Sequence, residues 1–217
     1  ELYWAAAKIG AVVVPSSVLL QESGLRTLLN NSDTEMVFST PAFADTLSNV
    51  RGDTHKIDAD AWILIGDDVP NGFISYQSFI GGASSDEPPD AGVQPSDPYN
   101  IVYSSGTTGE PKGIIHTHEV RAWYCSIFAS AWRMTPESIV MHAGSIVFNG
   151  SFLTLMPWMF VGCTYVLLPS FDADSVLDVI EQEHVSHTIM VPSQIISFMN
   201  SKRFDTAKLQ SLEMIQT

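Results

Sequence analysis

A layered α/β architecture, with mostly parallel strands and helices on both faces, is what the order of segments in this chain predicts. Three observations carry that prediction. Short apolar runs such as Met36 to Ser39 and Ile139 to Ala143 recur between longer segments whose apolar residues return every three or four positions. The short runs are mostly apolar and do not alternate, the pattern of strands buried on both faces of a parallel sheet. Hydrophobic content of 45%, with 10% aromatics, supplies a core, and 217 residues accommodate one large domain or two modest ones.

Taken in order, Leu2 to Gly10 suits a helix that Gly10 can end, and the β-branched run Val12 to Val14 before Pro15 reads as a strand. Glu22 to Asn30 is a helix with Leu25, Leu28 and Leu29 on one face. Met36 to Ser39 is a strand, Ala42 to Val50 a helix and Ala61 to Ile65 a strand. Gly81 to Pro98 breaks this rhythm: Pro88, Pro89, Pro95 and Pro98 among Asp86, Glu87, Asp90 and Asp97 make an extended acidic connector. Beyond it, Ile114-Ile115 continues as a strand. Glu119 to Met134 is a long helix, with Val120, Trp123, Ile127, Ala131 and Met134 sharing a face. Most of the aromatic residues Trp123, Phe128, Trp132, Phe152, Trp158 and Phe160 are expected in the core. The rest alternates: strand Ile139 to Ala143, helix Ser151 to Phe160, strand Tyr165 to Leu168, helix Asp174 to Glu183, strand Thr188 to Val191, helix Ser193 to Met199 and strand Leu212 to Gln216. The expected organisation is an α/β portion over 1–84, a connector over 85–98 and a second α/β portion over 99–217. Glu1 falls inside a helix and the last strand stops without closure, so the chain is expected to be a fragment of a longer protein.

Ten basic against 24 acidic residues give a net charge of −14. A chain so acidic lacks the basic face that replaces phosphate counterions, which excludes a general nucleic-acid binder. Any site for an anionic ligand must then be locally positive within a repulsive field. Cys125 and Cys163 stand alone without CxxC spacing, and both read as small buried residues, not as zinc ligands or a disulfide. His116 and His118 share a strand face but fall short of the three or four ligands of a metal site, so no metal ligand is assigned. Neither a signal-peptide pattern nor an apolar stretch of spanning length is present, and the expectation is a cytoplasmic enzyme.

The chemistry concentrates in Tyr103-Ser104-Ser105-Gly106-Thr107-Thr108-Gly109-Glu110-Pro111-Lys112-Gly113, behind the apolar run Ile101 to Tyr103. Gly106 and Gly109 let backbone N–H groups approach an anion closely. Ser104, Ser105, Thr107 and Thr108 carry hydroxyls that can donate to phosphate oxygens, and Lys112 brings a mobile positive charge. The Walker loop requires Gly-Lys followed by Ser or Thr, whereas Lys112 lies between Pro111 and Gly113, so a P-loop NTPase is the wrong class.

This loop resembles the phosphate-loop signature of the adenylate-forming (AMP-binding) superfamily, which includes acyl-CoA synthetases, luciferases and peptide-synthetase adenylation domains. Two further blocks resemble it as well: Glu1 to Ser17, with its Ala-x-x-x-x-Gly-Ala helix and strand ending in Pro, and Val161 to Met199, with a strand, helix, strand and Val-Pro turn. The resemblance covers nearly the whole chain and implies the N-terminal domain of an acyl-CoA synthetase, fatty-acid–CoA ligases among them.

The implied reaction joins a carboxylic acid to ATP, giving acyl-adenylate and pyrophosphate, and then transfers the acyl group to coenzyme A. ATP, Mg²⁺ and coenzyme A are the implied cofactors, with a small carboxylic acid, expected to be a fatty acid, and a C-terminal domain of the same chain as partners. Lys112 and Thr107 are the candidate catalytic residues, and Ser104, Ser105, Gly106, Thr107, Thr108, Gly109 and Lys112 the candidate phosphate-binding set. Many family members carry a histidine of the acyl pocket at the position of Phe148, which places Phe148, Asn149 and Gly150 as candidates for that pocket. Phenylalanine cannot exchange protons or hydrogen-bond as histidine does. The adenine, ribose and magnesium contacts of the family fall outside this chain, so the fragment alone is expected to be inactive. A carrier-protein-loading adenylation domain and a catalytically silent nucleotide-binding module are the alternatives.

Overall fold

The structure is a computed structural model, and it describes residues 1–104 and 112–217. The elements in chain order are α1 (Leu2–Ile9), α2 (Glu22–Asn31), β1 (Val37–Ser39), α3 (Ala44–Arg51), β2 (Trp62–Leu64), β3 (Ile74–Ser75), α4 (Tyr76–Ile80), β4 (Pro98–Ser104) and β5 (Lys112–Thr117). They continue with α5 (His118–Ala131), β6 (Ile139–Ala143), α6 (Phe152–Val161), β7 (Thr164–Leu168), α7 (Ala173–Glu183), β8 (His187–Ile189), α8 (Pro192–Met199) and β9 (Met214–Gln216). Two compact units result, one of 1–93 with 103–115 and one of 94–102 with 116–217.

In the first unit β1, β2 and β3 form a parallel sheet in that order. Trp62, Ile63 and Leu64 are all buried, as strands covered on both faces must be. Leu28 and Leu29 of α2 and Ala44, Leu47 and Val50 of α3 pack with Trp62 and Leu64. The run Val12 to Val14 does not become a strand: it holds a single bridge at Val13. β-Branched residues favour extended backbone, but a strand also needs a neighbour that offers a ladder.

The second unit is built on a four-stranded parallel sheet ordered β7-β6-β8-β9. Met141 and Ala143 on one face of β6 pack with Val176, Leu177 and Ile180 of α7 and Phe198 of α8. Val140 faces the other way, with Ala129, Trp132 and Met134 at the end of α5. The imidazole of His187, paired in register with Val140, bonds from Nε2 to the Trp132 carbonyl at 2.8 Å and from Nδ1 to the Ser186 hydroxyl at 2.7 Å, which ties α5 to β8. β4 and β5 pair with each other as a separate two-stranded sheet.

α5 does not bury the face its aliphatic spacing suggests. Val120, Trp123 and Ile127 are exposed, Trp123 by 57%, while Arg121 and Ala129 are buried and Tyr124 and Phe128 half-buried. The helix carries two apolar stripes, and the aromatic one turns inward, where Phe128 and Trp132 pack with Val140, Cys163 and Trp158. Cys125 is half-buried and not wholly enclosed; Cys163 is buried.

Candidate active site

Ser104 ends β4 and Lys112 opens β5, and both side chains are exposed. These two residues bound the glycine-rich segment. Ser105, Gly106, Thr107, Thr108 and Gly109 lie outside the described residues. Strand pairing of β4 with β5 holds the two bounding residues on regular backbone, so a hydroxyl and an ammonium are presented at the borders of the loop. Among the described residues Lys112 has no ion-pair partner. An ammonium and a hydroxyl are both donors of the kind that phosphate oxygens accept. Among the described residues no group of three or more His, Cys, Asp or Glu side chains could hold a metal ion.

Phe148, Asn149 and Gly150 follow β6, whose C-terminal end is the edge where ligands bind in open parallel sheets. Asn149 to Ser151 is one turn of 3-10 helix, closed by the Ser151 N–H and hydroxyl on the Phe148 carbonyl at 3.0 and 2.6 Å. Phe148 is 57% exposed and Asn149 and Gly150 are partly buried. A Cβ on Gly150 would lie 3.6 Å from the Ile189 methyl, so the turn rests against β8.

A residue without a sequence-level role organises this turn. Arg121 is 1% exposed. Its Nε donates to Asn100 Oδ1 on β4 at 3.1 Å, and its Nη1 donates to Asn149 Oδ1 at 3.0 Å. The guanidinium lies 3.9 Å from the Phe152 ring centre and 4.9 Å from that of Tyr124, where the ring faces offset part of the desolvation cost. The Asn149 amide in turn reaches the Tyr124 hydroxyl at 3.4 Å. An arginine in a helix is ordinarily read as solvated. The one available signal was its place one turn ahead of Tyr124 on the Tyr124–Phe128–Trp132 stripe.

His142 on β6 is buried, and burial pushes its imidazole below the ordinary value, partly opposed by the Ser145 backbone. Burial likewise pushes the Tyr99 and Tyr165 phenols up to about 12.

A family model for AMP-binding enzymes matches residues 1–217. The chain belongs to that family. Among its relatives, the indoleacetate–CoA ligase of Aromatoleum aromaticum is 31% identical over 99% of this chain and 41% of its own length. A feruloyl-CoA synthase of an Amycolatopsis species is 29% identical over 99% of this chain and 40% of its own length. A long-chain-fatty-acid–CoA ligase of Mycobacterium tuberculosis is 30% identical over 91% and 38%. This AMP-binding enzyme chain therefore spans about 40% of the length of the curated relatives it matches.

Solved structures carry the same fold. The anthranilate CoA ligase in complex with anthranoyl-AMP superposes with a TM-score of 0.87 at 21% identity, over 98% of this chain and 41% of that one. ATP-bound MatB from Rhodopseudomonas palustris gives 0.80 at 23% identity, over 99% and 41%. The layered α/β class expected of the sequence is the fold observed.

Proposed function

We propose that this chain is the phosphate-loop-bearing part of an ATP-dependent carboxylic acid–CoA ligase. The observation that carries the reading is the glycine- and hydroxyl-rich segment bounded by exposed Ser104 and Lys112, in a chain whose relatives ligate acids to coenzyme A. The acid carboxylate would attack the α-phosphorus of ATP and release pyrophosphate. Coenzyme A thiolate would then attack the acyl carbon and release AMP. Negative charge grows on the leaving pyrophosphate in the first step. Hydroxyls and backbone N–H groups of Ser104 to Gly109, with Lys112, would stabilise it most where charge develops. Mg²⁺ would neutralise the polyphosphate, held by its oxygens and by residues outside this chain.

The acid is proposed to be apolar, with fatty acids the first class to try; the relatives named for indoleacetate and ferulate put aryl-substituted acids beside them. Carrier-protein loading is the second reading, because the loop chemistry is shared and only the acceptor differs.

The test is acid-dependent ATP–pyrophosphate exchange by the full-length protein, with a panel of fatty, arylacetic and hydroxycinnamic acids. Lys112→Ala is expected to lower kcat/KM by about 100-fold, the scale of losing one charge stabiliser. Exchange unchanged in a folded Lys112→Ala protein would remove Lys112 from the mechanism, and no exchange with any acid would sink the ligase reading. Formation of acyl-CoA from free coenzyme A distinguishes the two acceptors.

A further inference from the structure

Arg121 joins two elements that the sequence separates. Asn100 belongs to β4, Asn149 to the 3-10 turn after β6, and α5 between them supplies the guanidinium. The planar fork directs Nε and Nη1 along different lines, so one side chain fixes two amide oxygens at once. Burial makes the Asn100 end stringent, because its amide oxygen, deprived of the donor, cannot turn to water, while Asn149 at the partly buried end is held by the same guanidinium. The turn is also limited from the side of β8, since Gly150 lies against Ile189. The turn is thus held by a bond on one side, and a side chain at Gly150 would reach Ile189 on the other.

We infer that Arg121 is a positioning residue for the acid-binding pocket: it holds Asn149 and thereby sets where Phe148 and Gly150 stand around the acid. This rests on the acid–CoA ligase reading above and on the place of Phe148, Asn149 and Gly150 in the acid pocket that the family resemblance implies. It assigns acid recognition in part to a side chain that is buried behind the turn and touches Asn149, Asn100, Tyr124 and Phe152.

The consequence is a separation of substrate effects. Releasing Asn149 acts on the turn after β6, which carries neither Ser104 nor Lys112. In the full-length protein, Arg121→Gln is expected to raise KM for the acid about tenfold while KM for ATP stays within about twofold. Asn149→Leu should do the same. The double variant should be no worse than either single one, because both remove one contact. If Arg121→Gln does not fold, Arg121→Lys carries the same expectation, as an ammonium cannot span both amides in this geometry.

Acid KM unchanged in folded Arg121→Gln or Arg121→Lys protein would overturn the assignment. So would parallel loss in acid KM, ATP KM and kcat, which marks general loosening of the fold. Fully additive effects in the double variant would overturn it too, since Asn149 would then act independently of Arg121. A wild-type protein without exchange on any acid is a different result: it fails the ligase reading and takes this role down with it.

Discussion

Burial sets the protonation of His142, and that has a measurable consequence. The folded protein holds the imidazole below the ordinary 6.5, whereas in the unfolded chain it titrates near that value. Above that range both states are neutral and the group contributes no pH dependence. As pH falls through 6.5 the unfolded state takes the proton first, so stability declines. The urea midpoint of wild type is therefore expected to drop between about pH 7.5 and about pH 5.5, and less so in His142→Leu. Equal slopes for the two proteins would assign the pH dependence elsewhere. His142 and Arg121 share the reason they escape a reading of the sequence. Nothing in residue type tells a buried polar group from a solvated one, whereas Ser104 and Lys112 stand out through the glycines and hydroxyls between them.

Helices in this chain end where their terminal residues tell them to. Thr117 caps α5 by accepting from the Val120 N–H, and Asp172 caps α7 through Ser175. Gly162 closes α6 in the left-handed region at φ 79°, with its N–H on the Trp158 carbonyl. A Cβ at Gly162 would meet nothing within 4 Å, so Gly162→Ala tests backbone strain alone. It is expected to destabilise by about 1 kcal/mol, seen as a lower urea midpoint at unchanged slope. A loss well under half that would mean the terminus relaxes away from the left-handed region. At this scale the sequence was most readable. The strand Ile139 to Ala143 stands where its apolar run lies, and the helix from Ser193 to Met199 differs by one residue. Short elements were the hard ones: β3 and α4, two and five residues long, carry too few positions for a period to emerge. The orientation of α5 was not legible for another reason, since two apolar stripes on one helix leave the choice to whatever packs against it.

The whole molecule adds coverage to chemistry. This chain accounts for about 40% of the length of the relatives it matches, and no described helix is long and apolar enough to cross a membrane. The adenine, ribose and magnesium contacts that the family resemblance implies are expected outside it. The 217-residue chain by itself is expected to show no acid-dependent ATP–pyrophosphate exchange under conditions where the full-length protein turns over. Exchange by the isolated chain at a comparable rate would place a complete adenylation site within it.

The resemblance of the Tyr103 to Gly113 segment to a known family determined the family from sequence alone, and periodicity in the helices with apolar runs in the strands determined the α/β class. Those features are local, each encoded within a dozen consecutive residues. The face that α5 buries, the burial that lowers the His142 imidazole and the bonds from Arg121 to Asn100 and Asn149 were decided by tertiary structure. Burial and hydrogen-bond partnership arise from residues 21 and 28 positions apart along the chain, and only packing brings those into contact.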